Sequence, residues 1–153
     1  MSTRAGLAVK FDDGVHFTMV SSDGYPRYLG NLLVNVYSSD EQAKAVSNLG
    51  DLRTLGLVLE RDSAYMEKPC DLCGGMFGAV GTECWIRDYG YSGDEYGPQV
   101  IPIDKWQFKS VAMHLRDFAV DCDYVYYWDG KEWRIFYNDT FVKLANSKHL
   151  KVE

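Results

Sequence analysis

The stretch from Tyr124 to Tyr137 constrains this chain most. Tyr124–Trp128 and Lys131–Tyr137 are aromatic, β-prone runs separated by Asp129-Gly130. Asp-Gly between two such runs predicts a hairpin closed by a two-residue loop. That register sets Trp128 opposite Lys131 and Tyr126 opposite Trp133. Tyr124, Tyr126, Trp128 and Trp133 then share one face, and Tyr127 points to the other. A fold containing such a hairpin needs more strands and a cover for at least one face. Rings left exposed on the second face would mark a contact surface.

The other strands follow from the same reasoning. Leu7, Val9 and Phe11 alternate with Ala8 and Lys10, a strand period. Asp12-Asp13-Gly14 turns the chain, and Val15, Phe17 and Met19 share a face of the returning strand. His16 alternates with them and is expected to face solvent. Asp23-Gly24 makes the next turn, and Pro26 keeps Tyr25 extended. Leu29, Leu32, Leu33 and Val36 then form a helical stripe. Ser39 and Gln42 form a capping-box pattern for a second helix ending at Gly50. Asp51 is placed to cap a further helical turn carrying Leu52, Leu55 and Leu59. Residues 61–81 hold Pro69, two cysteines and four glycines and read as a long loop. Glu83–Arg87 reads as a strand, and 104–119 as a helix with Trp106, Val111, Leu115 and Phe118 inward. Phe141–Leu150 reads as a short helix or an edge strand. The expected whole is one α+β domain over 1–153, an antiparallel sheet of about four to six strands with helices on one face.

Charge and composition narrow the function. Sixteen Lys and Arg against 22 Asp and Glu give a net charge of −6. That balance does not suit broad binding to nucleic acid, which needs phosphate-neutralising cations. No apolar run approaches the roughly 18 residues of a membrane helix. Met1–Phe11 lacks the pattern of a signal peptide. The expectation is a cytoplasmic protein without membrane contact. Eleven Tyr, seven Phe and four Trp supply rings for recognition.

Several short motifs stand in a telling order. They are Ser2-Thr3-Arg4-Ala5, Asp23-Gly24-Tyr25-Pro26, Leu29-Gly30, Leu49-Gly50-Asp51-Leu52, Leu55-Gly56, Arg87-Asp88, and Trp128-Asp129-Gly130 with Trp133. In order and spacing the chain resembles a family of small proteins encoded by bacteriophages and prophages. The resemblance spans most of residues 1–60, then 83–95 and 122–135. It implies an accessory protein working in the cytoplasm of an infected bacterium, and it brings no established activity. Tyr89 stands where that family usually has a basic residue, and the Cys70/Cys73 loop looks like a local insertion.

Two groups of residues could carry chemistry. Arg4, Asp23, Asp51, Arg87 and Asp88 lie at ends of expected elements. Gathered on one rim with Tyr25, Tyr89 and Tyr91, they would hold a nucleotide-like ligand by charge and stacking. Turn, cap and ion-pair roles are the plainer explanation for each. Asp94 and Glu95 add an acidic tip suited to a basic partner surface, and with Asp88 they offer oxygen ligands for a divalent cation. The second group is Cys70-Asp71-Leu72-Cys73, half of a zinc knuckle. Cys84 is the candidate third ligand, and His114, His16 or Cys122 would complete a structural zinc site. A redox pair or free thiols are the other readings of that motif. No nucleophile elbow, phosphate-binding loop or metalloprotease helix is present. The sequence therefore favours a binder that blocks a host defence or nucleic-acid-processing protein. A sponge for a nucleotide signal and a small hydrolase or transferase are the alternatives.

Overall fold

The computed structural model describes residues 3–104, 106, 122–138 and 140–151. Its centre is strand β1, Ala5–Phe11. β1 pairs antiparallel with β2, Gly14–Val20, from Ala5 opposite Val20 to Phe11 opposite Gly14. Its other edge runs parallel to β6, Tyr124–Trp128. Ala5, Leu7, Ala8 and Val9 are wholly buried. A strand with a parallel neighbour and cover on both faces becomes a continuous apolar run. This is why Ala8, which alternation alone leaves outside, lies in a second core.

The sheet extends both ways from this centre. β3 (Leu52–Thr54) and β4 (Glu83–Cys84) lie beyond β2, and β7 (Trp133–Tyr137) and β8 (Thr140–Lys143) beyond β6. β5, Gln99–Ile101, pairs with the first half of β2. The α+β class is as expected. The sheet is larger than expected, with eight strands among the described residues, and mixed, because the β1–β6 and β2–β3 pairs are parallel.

The aromatic hairpin forms, in another register. Trp128 faces Trp133 and Tyr126 faces Ile135, so residues 129–132 make a four-residue loop. Asp129 causes the shift. Its carboxylate accepts the N–H groups of Lys131 and Glu132, both at 2.9 Å, and Arg134 Nε–H at 2.8 Å. This Asx-type turn outcompetes the two-residue loop. The rings expected to share a face do so, but as core. Tyr126, Trp128 and Trp133 are buried, and the Trp133 indole donates to Tyr37 O at 2.9 Å.

One face of the sheet is covered by a π-helical turn at Pro26–Gly30, α1 (Asn31–Asn35) and α2 (Asp40–Asn48). Leu29, Leu32, Leu33, Ala43 and Val46 bury the expected stripes. Each fully buried leucine contributes roughly 1.5–3 kcal/mol. Ser39 caps α2, accepting Gln42 N–H at 3.2 Å and donating to Gln42 Oε1 at 3.0 Å. The opposite face carries Ala8, Val15, Phe17, Ile101, Val125 and Phe141, also buried. Phe17 lies across Gly6, where a Cβ would stand 2.5 Å from the ring. Trp106 packs on Tyr127 at 5.1 Å between centroids. The expected helix over 104–119 falls, apart from Asp104 and Trp106, outside the described residues.

Three local expectations are corrected. Asp51 caps no helix, because Leu52–Thr54 is β3, paired to Val20 and Cys84. Glu83–Arg87 is a strand only at Glu83–Cys84, after which α3 runs over Trp85–Tyr89. Asp88 turns the chain there by accepting Cys84 N–H at 2.8 Å, and Gly90 at φ 72° ends the helix. His16 is largely covered, stacked on Phe11 and bonded to Asp13 at 2.7 Å. The 61–81 segment is an irregular hairpin-like excursion, with bridges Tyr65–Ala79 and Cys70–Met76. The tail contains both an edge strand, β8, and a helical turn at Lys148–Leu150. No helix among the described residues is long and apolar enough to cross a membrane.

Candidate functional site

The sheet end where β1 begins and β2 finishes opens into a recess of about 520 Å³. Its walls combine charge with rings: Arg4, Asp51, Arg53, Trp85 and Tyr96 line it. β1 starts at Ala5, so Arg4 lies at the strand mouth. Its backbone is fixed to Asp123, whose carboxylate accepts Arg4 N–H at 3.2 Å and whose N–H donates to Arg4 O at 2.9 Å. The Arg4 guanidinium makes no hydrogen bond or ion pair among the described residues.

Asp51 is held from three sides. Its carboxylate accepts Met19 N–H at 3.0 Å. Its own N–H donates to Tyr96 O at 2.7 Å, and its carbonyl accepts Trp85 N–H at 3.2 Å. Burial pushes its carboxyl up to about 6, against the opposing effect of the Met19 bond. A side chain of this kind is a common feature of ligand sites.

The ring wall belongs to α3 and to α4, Gly93–Tyr96. Trp85 lies 6.3 Å from Tyr96, 5.5 Å from Tyr91 and 5.2 Å from Tyr89. Its indole N–H donates to Ser21 Oγ at 3.3 Å. Tyr89 carries two guanidinium groups over its ring, Arg53 at 5.7 Å and Arg61 at 5.3 Å. Its hydroxyl bonds to Glu83 and accepts from Arg53 Nη1 at 2.7 Å.

The expected rim is thus partly assembled. Arg4 and Asp51 share the recess. Asp23, in a left-handed backbone at φ 58°, lines a neighbouring hollow of about 210 Å³ that shares Ser22 and Arg53 with it. Tyr89 and Tyr91 join through the ring cluster. Tyr25 packs instead on Tyr28, at 6.2 Å. Asp94 and Glu95 are exposed in the first turn of α4.

Arg87 and Asp88 are bound into the scaffold. Arg87 donates to Leu59 O and Thr82 O, both at 2.8 Å, and to Asp88 at 3.0 Å. The Arg87 side chain beside it holds the Asp88 carboxyl down at about 2, reinforced by the Cys84 N–H. Arg53, Trp85 and Tyr96 were not among the expected residues. Arg53 fell within the helical turn expected after Asp51, and Trp85 was legible as one aromatic in a strand-like run.

Cys84 and Cys122 make their contacts away from the Cys70–Cys73 turn. Cys84 Sγ lies 3.6 Å from Asp88 Oδ2, Cys122 Sγ 3.6 Å from Met19 Sδ, and Cys73 Sγ 3.9 Å from Met66 Sδ. Among the described residues no three His, Cys, Asp or Glu side chains stand close enough to hold a metal ion. His114 lies outside the described residues. Comparison with family models, with curated proteins and with solved structures returns no match.

Proposed function

We propose that the protein works by binding, and that its ligand is a nucleotide-type anion held in the Arg4–Asp51 recess. One observation carries this reading: a guanidinium with no partner among the described residues and a half-buried carboxyl line the same ring-walled hollow. Arg4 suits a phosphate, which a guanidinium can meet with two parallel hydrogen bonds. Trp85 and Tyr96 offer faces for a base. Asp51, ionised at neutral pH, accepts from an amino or ring N–H. The volume falls within the range of small-molecule sites. In an infected bacterium, the setting that the phage resemblance implies, such a binder would withdraw a nucleotide signal from the host.

A thermal-shift panel of mono-, di- and cyclic nucleotides tests this. A ligand at 100 times its Kd adds roughly 2.7 kcal/mol to stability. Arg4→Ala and Trp85→Leu are expected to remove the shift. Ligand recovered unchanged after denaturation separates a binder from a hydrolase or transferase. A panel in which nothing raises the melting temperature defeats the reading.

A second reading draws on the acidic tip. Tyr91, Asp94 and Glu95 are exposed together, next to the ring cluster, and would meet a basic surface on a host protein that the chain blocks. Capture of one host partner, weakened by charge reversal at Asp94 and Glu95, supports it. Capture that is indifferent to those changes does not.

A further inference from the structure

Sulfur gathers at a second place, in the 61–81 excursion. The Cys70–Cys73 segment folds as a closed turn. Cys70 O accepts Cys73 N–H at 3.0 Å and Gly75 N–H at 2.9 Å. Cys70 N–H donates to Met76 O at 3.1 Å, and Met76 N–H to Cys73 O at 3.2 Å. Gly74 and Gly75 take left-handed backbones, at φ 65° and 78°. A Cβ on Gly74 would sit 2.5 Å from Arg27 O, so glycine lets the turn press against the helical layer. The result is a closed C-x-x-C turn carrying both cysteines, the backbone form of a metal knuckle. Cys73 Sγ donates to Met66 Sδ at 3.9 Å.

We propose that Met66, Cys70 and Cys73 form a binding site for a soft monovalent metal ion of the Cu(I) class. The donor set decides the metal. Structural zinc wants four N, S or O donors in a tetrahedron, and among the described residues no third His, Cys, Asp or Glu joins the cysteine pair. Two thiolates and a thioether are soft ligands, which select Cu(I) over hard cations. Cu(I) is satisfied by two or three such donors. Burial supports the arrangement: Cys73 is fully enclosed, while Cys70 and Met66 are half-buried. An ion can therefore enter past Cys70 and finish against a dry wall.

The binding step conserves electrons. One Cu(I) replaces two S–H protons, forming a dithiolate complex and releasing 2 H⁺, with no change of oxidation state. The metal itself must displace both protons, because only the thiolates ligate. Affinity is accordingly expected to rise with pH. The site is separate from the Arg4 recess, and neither reading depends on the other.

The test is an anaerobic titration of the full chain with Cu(I) against a chromogenic chelator, with Zn(II) in a parallel arm. One Cu(I) per chain, with a thiolate-to-copper band in the near ultraviolet, is expected. Met66→Leu conserves volume and is expected to weaken binding about 10-fold. Cys70→Ser, at a half-exposed position, is expected to weaken it at least 100-fold while the far-ultraviolet spectrum stays unchanged. Complete stripping by the chelator would overturn the proposal. So would equal retention by both variants, or stoichiometric zinc without copper.

Discussion

Asp51 accepts the backbone N–H of Met19 at 3.0 Å, across 32 residues of sequence. That bond joins the start of β3 to the end of β2 and places a carboxyl where solvent reaches it poorly. The folded value of about 6 exceeds the ordinary 3.8. A carboxyl raised on folding favours the native state when protonated. Its stabilising effect is complete below about pH 4 and fades as pH rises through 6. Discounted for partial exposure, the change is about 1–2 kcal/mol. Asp51→Asn keeps the acceptor for Met19 and removes the titration. Urea unfolding from pH 4 to 7.5 is expected to show that slope in the native chain and a flatter profile in the variant. Equal slopes would mean Asp51 is not the titrating group.

Tyr28 and Tyr37 tie one loop to the helical layer. Tyr28 Oη–H donates to Leu55 O at 2.9 Å and Tyr37 Oη–H to Gly56 O at 2.6 Å, both within the core. Tyr28→Phe or Tyr37→Phe leaves a buried carbonyl unpaired, which costs about 1–3 kcal/mol each. The carbonyls are adjacent, so the double variant is expected to depart from additivity. A double-mutant cycle by chemical denaturation measures the coupling.

How much of this was legible depends on how local each signal is. The Ser39–Gln42 cap, the turn into β2 and the aromatic hairpin rest on residues close in sequence, and their places were readable. β3, β4 and β5 hold three, two and three residues. A period cannot show itself over so short a span. The parallel β1–β6 pair depends on a partner more than 100 residues away, which no local pattern announces. At the site, Arg4 and Asp51 were readable as polar ends of elements. Trp85 and Tyr96 became part of it only because both hydrogen-bond back to the Asp51 backbone, more than 30 residues earlier.

Asp129 sets the register of the β6–β7 hairpin through three accepted bonds. Burial would raise its carboxyl, but Arg134 and the Glu132 and Lys131 N–H groups outweigh that and lower it. A lowered carboxyl stabilises above its unfolded value and loses that effect as pH falls through the acid range. Asp129→Ala removes the Asx turn and is expected to cost about 1–2 kcal/mol. Asp129→Asn can still accept at least one backbone N–H and should retain part of the stability. A variant as stable as the native chain would show that the loop is held by Trp128 and Trp133 alone.

Arg87 separates a scaffold role from a ligand role. It fastens Leu59 O and the buried Thr82 O to α3 and pairs with Asp88. Arg87→Ala leaves the Thr82 carbonyl without that donor and is expected to cost about 1–3 kcal/mol. Its partner Asp88, held down at about 2, stabilises the fold above about pH 4 and loses that effect as pH falls toward 2. The Arg4 recess does not include either side chain. A nucleotide that shifts the native melting temperature is therefore expected to bind the Arg87→Ala chain with a Kd within about 2-fold of native, measured by calorimetry well below the lowered melting point. Arg4→Ala should show the reverse: native stability and a Kd weakened at least 10-fold, since one charge-assisted contact is worth about 1.5–3 kcal/mol. Loss of binding in Arg87→Ala at a temperature where the chain is folded would return Arg87 to the ligand rim.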